Sequence, residues 1–103
     1  MMSDYLYAGK ILWVDLTQGK VWTTPTAAYA GRFLGGKGIG ARIIWEKSAL
    51  PSIDPLGPDN ALSFNTGPLT GTMMPGSGPC NVSSKSPLTG LLCVSSFGGS
   101  FAP

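Results

Sequence analysis

Lys10-Ile-Leu-Trp-Val-Asp-Leu16, then Thr17-Gln-Gly19, then Lys20-Val-Trp-Thr-Thr24 is the stretch that decides the fold. In the first run Ile11, Trp13 and Asp15 fall on one face and Leu12, Val14 and Leu16 on the other, which is the two-residue period of a strand. Thr17-Gln-Gly19 reads as a turn whose glycine takes a positive φ. The β-branched and aromatic run after it resumes as a second strand, so the two form a hairpin.

Working outward, Thr26 is placed to cap a short helix over Ala27 to Leu34, which Gly35-Gly36 breaks. A second helix is expected from about Gly38 to Lys47, with Ile39, Ile43 and Ile44 on one face and Arg42 and Glu46 on the other. Residues 50–60 carry Pro51, Pro55, Gly57 and Pro58 and form an irregular connector. Ala61 to Asn65 reads as a short buried strand, and Gly67 to Pro79 as a long loop rich in glycine and proline. Asn81 to Lys85 and Leu91 to Ser96 read as two more strands, turned by Ser86-Pro-Leu-Thr-Gly90. Residues 1–8 are expected to be a loose N-terminus. The expected fold class is α+β and β-rich, with antiparallel or mixed sheets and one or two short helices.

The 103 residues suit one domain or part of one. Only 12% are charged, and the net charge of +2 forms no basic patch, so no nucleic-acid partner is expected. No run of apolar residues is long enough for a membrane span, and Met1 to Lys10 lacks the layout of a signal peptide. The expected compartment is the cytoplasm. There is no histidine, which removes Ser–His and Cys–His catalysis. Asp4, Asp15, Glu46, Asp54 and Asp59 show no spacing for acid–base work, so no catalytic residue is expected. Cys80 and Cys93 are too few for an iron–sulfur cluster or a zinc site. They read as small buried apolar residues, or as a pair facing across a hairpin.

Three features bear on a ligand. Pro-Leu-Thr-Gly occurs at Pro68 to Gly71 and again at Pro87 to Gly90, either as two similar turns or as two loops framing a ligand at one sheet end. Gly35-Gly-Lys-Gly-Ile-Gly40 fits neither the P-loop nor the dinucleotide fingerprint. It serves either close packing or anion contact at a helix start. Gly67 to Thr72, Asn81 to Gly90 and Ser96 to Gly99 concentrate glycine, small hydroxyls and Lys85. Such segments bring main-chain amides close to phosphates, with Lys85 as a point charge, or they are tight turns and nothing more.

The series Gly67-Pro-Leu-Thr-Gly-Thr72, Lys85-Ser-Pro-Leu-Thr-Gly90 and Gly98-Gly99 resembles the N-terminal domain of the aldehyde ferredoxin oxidoreductases. Val14-Asp-Leu-Thr-Gln-Gly19, Phe33-Leu-Gly-Gly-Lys-Gly38 and Asp54-Pro-Leu-Gly-Pro-Asp-Asn60 are similar as well, and the likeness runs from about Gly9 to Pro103. It implies about half of a β-sheet domain that forms the base for a tungsten or molybdenum bis-pterin cofactor with a bridging magnesium. It also implies oxidation of aldehydes to carboxylic acids, with electrons leaving through a [4Fe–4S] cluster to ferredoxin.

Carried over by position, the resemblance places cofactor contacts at Ser96, Gly98, Gly99, Lys85, Thr70 and Gly71, with the Ser96 carbonyl as magnesium ligand. Pro79 stands where the family often has a phosphate-binding arginine. The cluster and the substrate cavity would lie outside these 103 residues. The expected partner is therefore the remainder of the enzyme, and the chain is expected to be inactive alone. The alternative is a non-catalytic module that pairs with a second copy of itself.

Overall fold

Alternation in the opening hairpin is realised as β1 (Lys10–Asp15) and β2 (Lys20–Pro25), paired antiparallel with Trp13 opposite Trp22. The computed structural model describes residues 7–48 and 50–101. The two indoles stack within 6° of parallel, their centres 6.2 Å apart, and Trp13 Nε1 donates to Thr24 Oγ1 at 2.8 Å. Ile11, Trp13 and Asp15 are half-buried, while Leu12, Val14 and Leu16 are exposed. Asp15 Oδ1 accepts from the main-chain N–H of Thr17 and Gln18 at 3.0 and 3.1 Å. This local carboxylate bond turns the chain. Of the expected loose N-terminus, residues 1–6 lie outside the described residues. Tyr7 Oη donates to the Leu34 carbonyl at 2.7 Å.

Next comes α1 (Ala27–Phe33), which starts without the expected side-chain cap. Thr26 is buried with φ −60° and ψ −30°, helical angles rather than the extended ones a capping side chain needs. Its carbonyl instead accepts from Tyr29 and Ala30 N–H at 2.9 and 3.0 Å. The helix stops at Leu34, which has φ +64° and ψ −65°. Gly35 N–H donates to the Phe33 carbonyl at 2.7 Å. Together these define a γ-turn centred on a leucine, a strained geometry.

The turn lets the chain restart at once as α2 (Gly36–Ser48), two residues ahead of the start read from sequence. Ile39, Ile43 and Ile44 are buried as expected, with Ala30 and Cys80 completing a small core. Each isoleucine contributes about 1.5–3 kcal/mol by leaving water. Lys47 Nζ sits 5.1 Å from the centre of the Trp13 ring, which ties the end of α2 to the hairpin.

α2 packs on an antiparallel sheet of β3 (Leu62–Thr66), β4 (Cys80–Lys85) and β5 (Leu92–Phe97), in the order β3-β4-β5. Gly36 is set against Asn81 and Gly40 against Ser83, while Ile44 and Lys85 line a common groove. Every fourth helix residue thus meets every second strand residue, because four helical rises of 1.5 Å come close to two strand rises of 3.3 Å. The glycine-rich motif is therefore taken up in close packing. A Cβ at Gly40 would stand 2.7 Å from both Asn65 Nδ2 and Ser83 Oγ, one at Gly35 would be 2.9 Å from Pro68 Cδ, and one at Gly38 would clash with the Phe33 carbonyl.

Two expectations need correction. β3 is not buried on both sides: Leu62 and Phe64 are exposed, since α2 covers only the other face. The cysteines do not face each other, since Cys80 lies opposite Phe97 and Cys93 opposite Ser84. Both thiols are free, one buried and one exposed. The fold is α+β and β-rich as read from sequence, and every strand pair among the described residues is antiparallel. Among those residues no helix is long and apolar enough to cross a membrane.

Candidate functional site

Strand register sorts the expected site residues by position. Thr66 pairs with Cys80, and Cys80 with Phe97. The β3–β4 loop, with Thr70 and Gly71, and the chain after β5, with Gly98 and Gly99, therefore leave the sheet at the same end. Ser96 is one residue back from that end, opposite Asn81. Five of the six expected contacts share one end of the sheet.

Lys85 does not join them. It closes the other end of β4, opposite Leu92, five residues from Cys80 and so roughly 17 Å away along the strand. Its side chain is buried, and Nζ donates to the Leu50 and Ile53 carbonyls, both at 2.9 Å. The ammonium holds the 50–60 connector, away from the loop end. The two Pro-Leu-Thr-Gly turns likewise lie at opposite ends of the sheet, because each follows a strand of an antiparallel pair. They are similar turns, each with its glycine at positive φ, +85° at Gly71 and +73° at Gly90, and they do not frame one ligand.

At the loop end, Leu34, Gly67, Pro68, Thr70, Ser77 and Asn81 border an open basin of about 350 Å³. Thr70 Oγ1 accepts from Gly67 N–H at 3.0 Å and closes the first turn of the loop on itself. Two glycines here differ from those under α2. Gly78 precedes β4 and Gly98 follows β5, on either side of the final Cys80–Phe97 pair. Neither has a positive φ, and a Cβ on either meets nothing within 4 Å. Among the described residues, turn geometry and packing therefore leave both glycines unexplained, and the space a side chain would take at each is open. Such bare main chain can receive a phosphate or offer a carbonyl to a hard cation.

The first turn of α2 adjoins this end through Gly36 and holds Lys37 and no carboxylate. Among the described residues no three His, Cys, Asp or Glu side chains cluster to hold a metal. A cation at this site would therefore rely on main-chain oxygens. The bare main chain suits a phosphate-bearing cofactor with magnesium. Of the expected charged contacts, Lys85 is elsewhere and Pro79 has no side-chain donor, which leaves Lys37 in the first turn of α2 as a cation adjoining this end.

Asn81 was missed as a site residue. It falls in the Asn81 to Gly90 segment but is not among the contacts placed by the resemblance, whereas in the structure its Oδ1 accepts from Ser96 Oγ at 2.7 Å. Only the strand register could reveal that pairing. Leu34 was missed because it looks like the last residue of a helix.

Comparison with known proteins agrees with this architecture. The aldehyde ferredoxin oxidoreductase N-terminal domain matches residues 11–103. The chain is 44% identical over 96 residues to the tungsten-containing aldehyde ferredoxin oxidoreductase of Pyrococcus abyssi, covering 92% of this chain and 16% of that protein. It is 43% identical over 70 residues to an aliphatic sulfonate oxidoreductase, WOR-like subunit, of Pyrococcus furiosus, covering 65% of this chain and 11% of that one. A solved active-site complex, BamBC of benzoyl coenzyme A reductase with 1,5-dienoyl-CoA, superposes with a TM-score of 0.88 at 38% identity. That match covers 96% of this chain and 15% of the solved chain. The chain thus spans about a sixth of the length of the relatives it matches. It belongs to the aldehyde ferredoxin oxidoreductase family, and it carries sequence of that family's N-terminal domain.

Proposed function

We propose that this chain is a cofactor-binding part of a tungsten- or molybdenum-pterin oxidoreductase that oxidises aldehydes to carboxylic acids. When bound, the metal–pterin group supplies the redox chemistry, and the protein orients it. In this reading electrons reach ferredoxin through a [4Fe–4S] cluster held outside these 103 residues. The chain's own part is to bind and orient. The main chain at Gly98 and Gly99 and the turn at Thr70 and Gly71 would hold the pterin phosphates, and the Ser96 carbonyl would be a ligand to magnesium. Lys85 has no part in it. The chain carries no catalytic side chain of its own and is inactive alone. The cytoplasm is its compartment in this reading, supported by two unpaired thiols.

One observation carries the reading: Gly78 and Gly98 flank the same end of the β4–β5 pair with no internal reason to be glycine. The test is elemental analysis of the purified protein for tungsten, molybdenum and magnesium, together with pterin detection. Stoichiometric tungsten or molybdenum with pterin is expected. Protein grown with both metals supplied and found free of metal and pterin would remove the reading.

A second reading is favoured by the sheet face turned away from α2. Leu62, Phe64, Phe97 and Phe101 lie there, and Phe101 contacts both other rings, with centres 6.4 and 5.5 Å apart. β3 and β5 are both unpaired at their outer edges among the described residues. An apolar face between free edges needs a partner. That partner is the remainder of the enzyme in the first reading and a second copy in this one. Solution mass separates them: a metal-free homodimer supports self-association.

A further inference from the structure

We propose that Asn81 is a positioning residue for the loop-end site; this rests on the cofactor-binding reading above. Asn81 and Ser96 are directly opposite across β4 and β5. Ser96 Oγ donates to Asn81 Oδ1 at 2.7 Å, the last side-chain hydrogen bond among the described residues before the chain passes Phe97 and leaves the sheet. A carboxamide carries one acceptor oxygen and one donor nitrogen on a rigid plane. Because Ser96 occupies the oxygen, Nδ2 is turned the other way, toward the first turn of α2. A Cβ built on Gly36 would lie 3.1 Å from that nitrogen, so the bare glycine leaves the amide its space. Asn81 also borders the basin with Gly67, Thr70 and Ser77.

One side chain therefore joins β4, the end of β5 and the first turn of α2. It holds Ser96, whose carbonyl is the magnesium ligand in the cofactor-binding reading, and through Ser96 the main chain entering Gly98. It also sets an amide N–H beside Gly36 in the first turn of α2, next to Lys37. The two atoms do separate work: Oδ1 holds Ser96, and Nδ2 stands as a donor beside the first turn of α2, on a residue that borders the basin.

The test compares Asn81→Ala, Asn81→Asp, Ser96→Ala and Asn81→Ala/Ser96→Ala with the unaltered protein expressed from its own gene. One readout is the ¹⁵N order parameter at Gly98 without ligand. The other is affinity for inorganic pyrophosphate with magnesium. Asn81→Ala and Ser96→Ala should each lower the order parameter from about 0.85 toward 0.6 and weaken pyrophosphate about three- to tenfold. Their double variant should be ordered no less at Gly98 than Asn81→Ala alone. Asn81→Asp keeps the acceptor for Ser96, so it should leave Gly98 ordered while weakening pyrophosphate at least as much as Asn81→Ala. An unchanged Gly98 in Asn81→Ala, additive loss of order in the double variant, or Asn81→Asp binding as well as the unaltered protein would overturn the proposal. If the unaltered protein has no affinity for pyrophosphate, the cofactor-binding reading falls, and the order parameters still decide whether Asn81 holds the end of β5.

Discussion

Gly40 lies directly over Ser83: a Cβ on the glycine would stand 2.7 Å from the serine Oγ. The contact sets the separation of α2 from β4 and buries the hydroxyl completely, leaving Ser83 Oγ without a hydrogen-bond partner among the described residues. Gly40→Ala should destabilise by about 1–3 kcal/mol through overpacking. Ser83→Ala should be neutral or stabilising by up to about 1 kcal/mol, because it removes an unsatisfied buried hydroxyl. The double variant should recover part of the Gly40→Ala loss, since Asn65 Nδ2 remains in the way. Denaturant unfolding of the four proteins checks this, and a harmless Gly40→Ala would mean that the helix sits farther from the sheet.

Leu34 holds a positive φ that a leucine resists, and its side chain is largely exposed. Leu34→Gly should therefore stabilise the fold by about 1 kcal/mol, the relief of a strained residue less the extra freedom of glycine in the unfolded chain. Thermal unfolding reads it as a rise in Tm. A fall would show that the side chain contributes more than the turn costs.

Lys85 is bound to two carbonyls and lies far from the basin. Lys85→Ala should cost about 2–3 kcal/mol, because the Leu50 and Ile53 carbonyls lose a charged donor. Pyrophosphate affinity should change less than twofold. A large loss of affinity with unchanged stability would return Lys85 to the ligand site.

Tyr29 Oη donates to Glu46 Oε1 at 2.7 Å, and Arg42 Nε lies 3.4 Å from the other carboxylate oxygen. The hydrogen bond to Glu46, then burial and the carboxylate charge, raise the phenol above its ordinary 10.0, against a smaller opposing effect of Arg42. A raised folded-state pKa stabilises fully below the unfolded value and loses that contribution as pH rises through the folded value. The stability difference between the unaltered protein and Tyr29→Phe should stay constant up to about pH 10 and shrink above it. Urea unfolding across that range measures the difference, and a gap that widens with pH would contradict it.

Much of the local structure was legible because it depends on neighbours in sequence. The hairpin follows from the alternation of Ile11, Trp13 and Asp15 with Leu12, Val14 and Leu16. The buried face of α2 follows from Ile39, Ile43 and Ile44. The β3–β4 loop and the segment after β5 were read from glycine and small hydroxyls as bare main chain for a ligand or as tight turns, and the strand register sets them at one end of the sheet. Whether Leu62 and Phe64 would be covered was not legible. Coverage depends on which face α2 takes, and apolar residues on both sides of a strand look the same whether one face or both are packed.

The sequence by itself determined the element types, the family and the presence of exposed-backbone turns, because periodicity, β-branching and glycine placement act over a few residues. Only the tertiary structure decided which turns share an end of the sheet. Antiparallel pairing sent Pro68 to Gly71 one way and Pro87 to Gly90 the other, placed Lys85 with Leu50 and Ile53, and set Asn81 against Ser96. Those partners are separated by 15 to 35 residues, and contacts that no local pattern encodes bring them together, strand register for Asn81 and Ser96 and the fold of the 50–60 connector for Lys85.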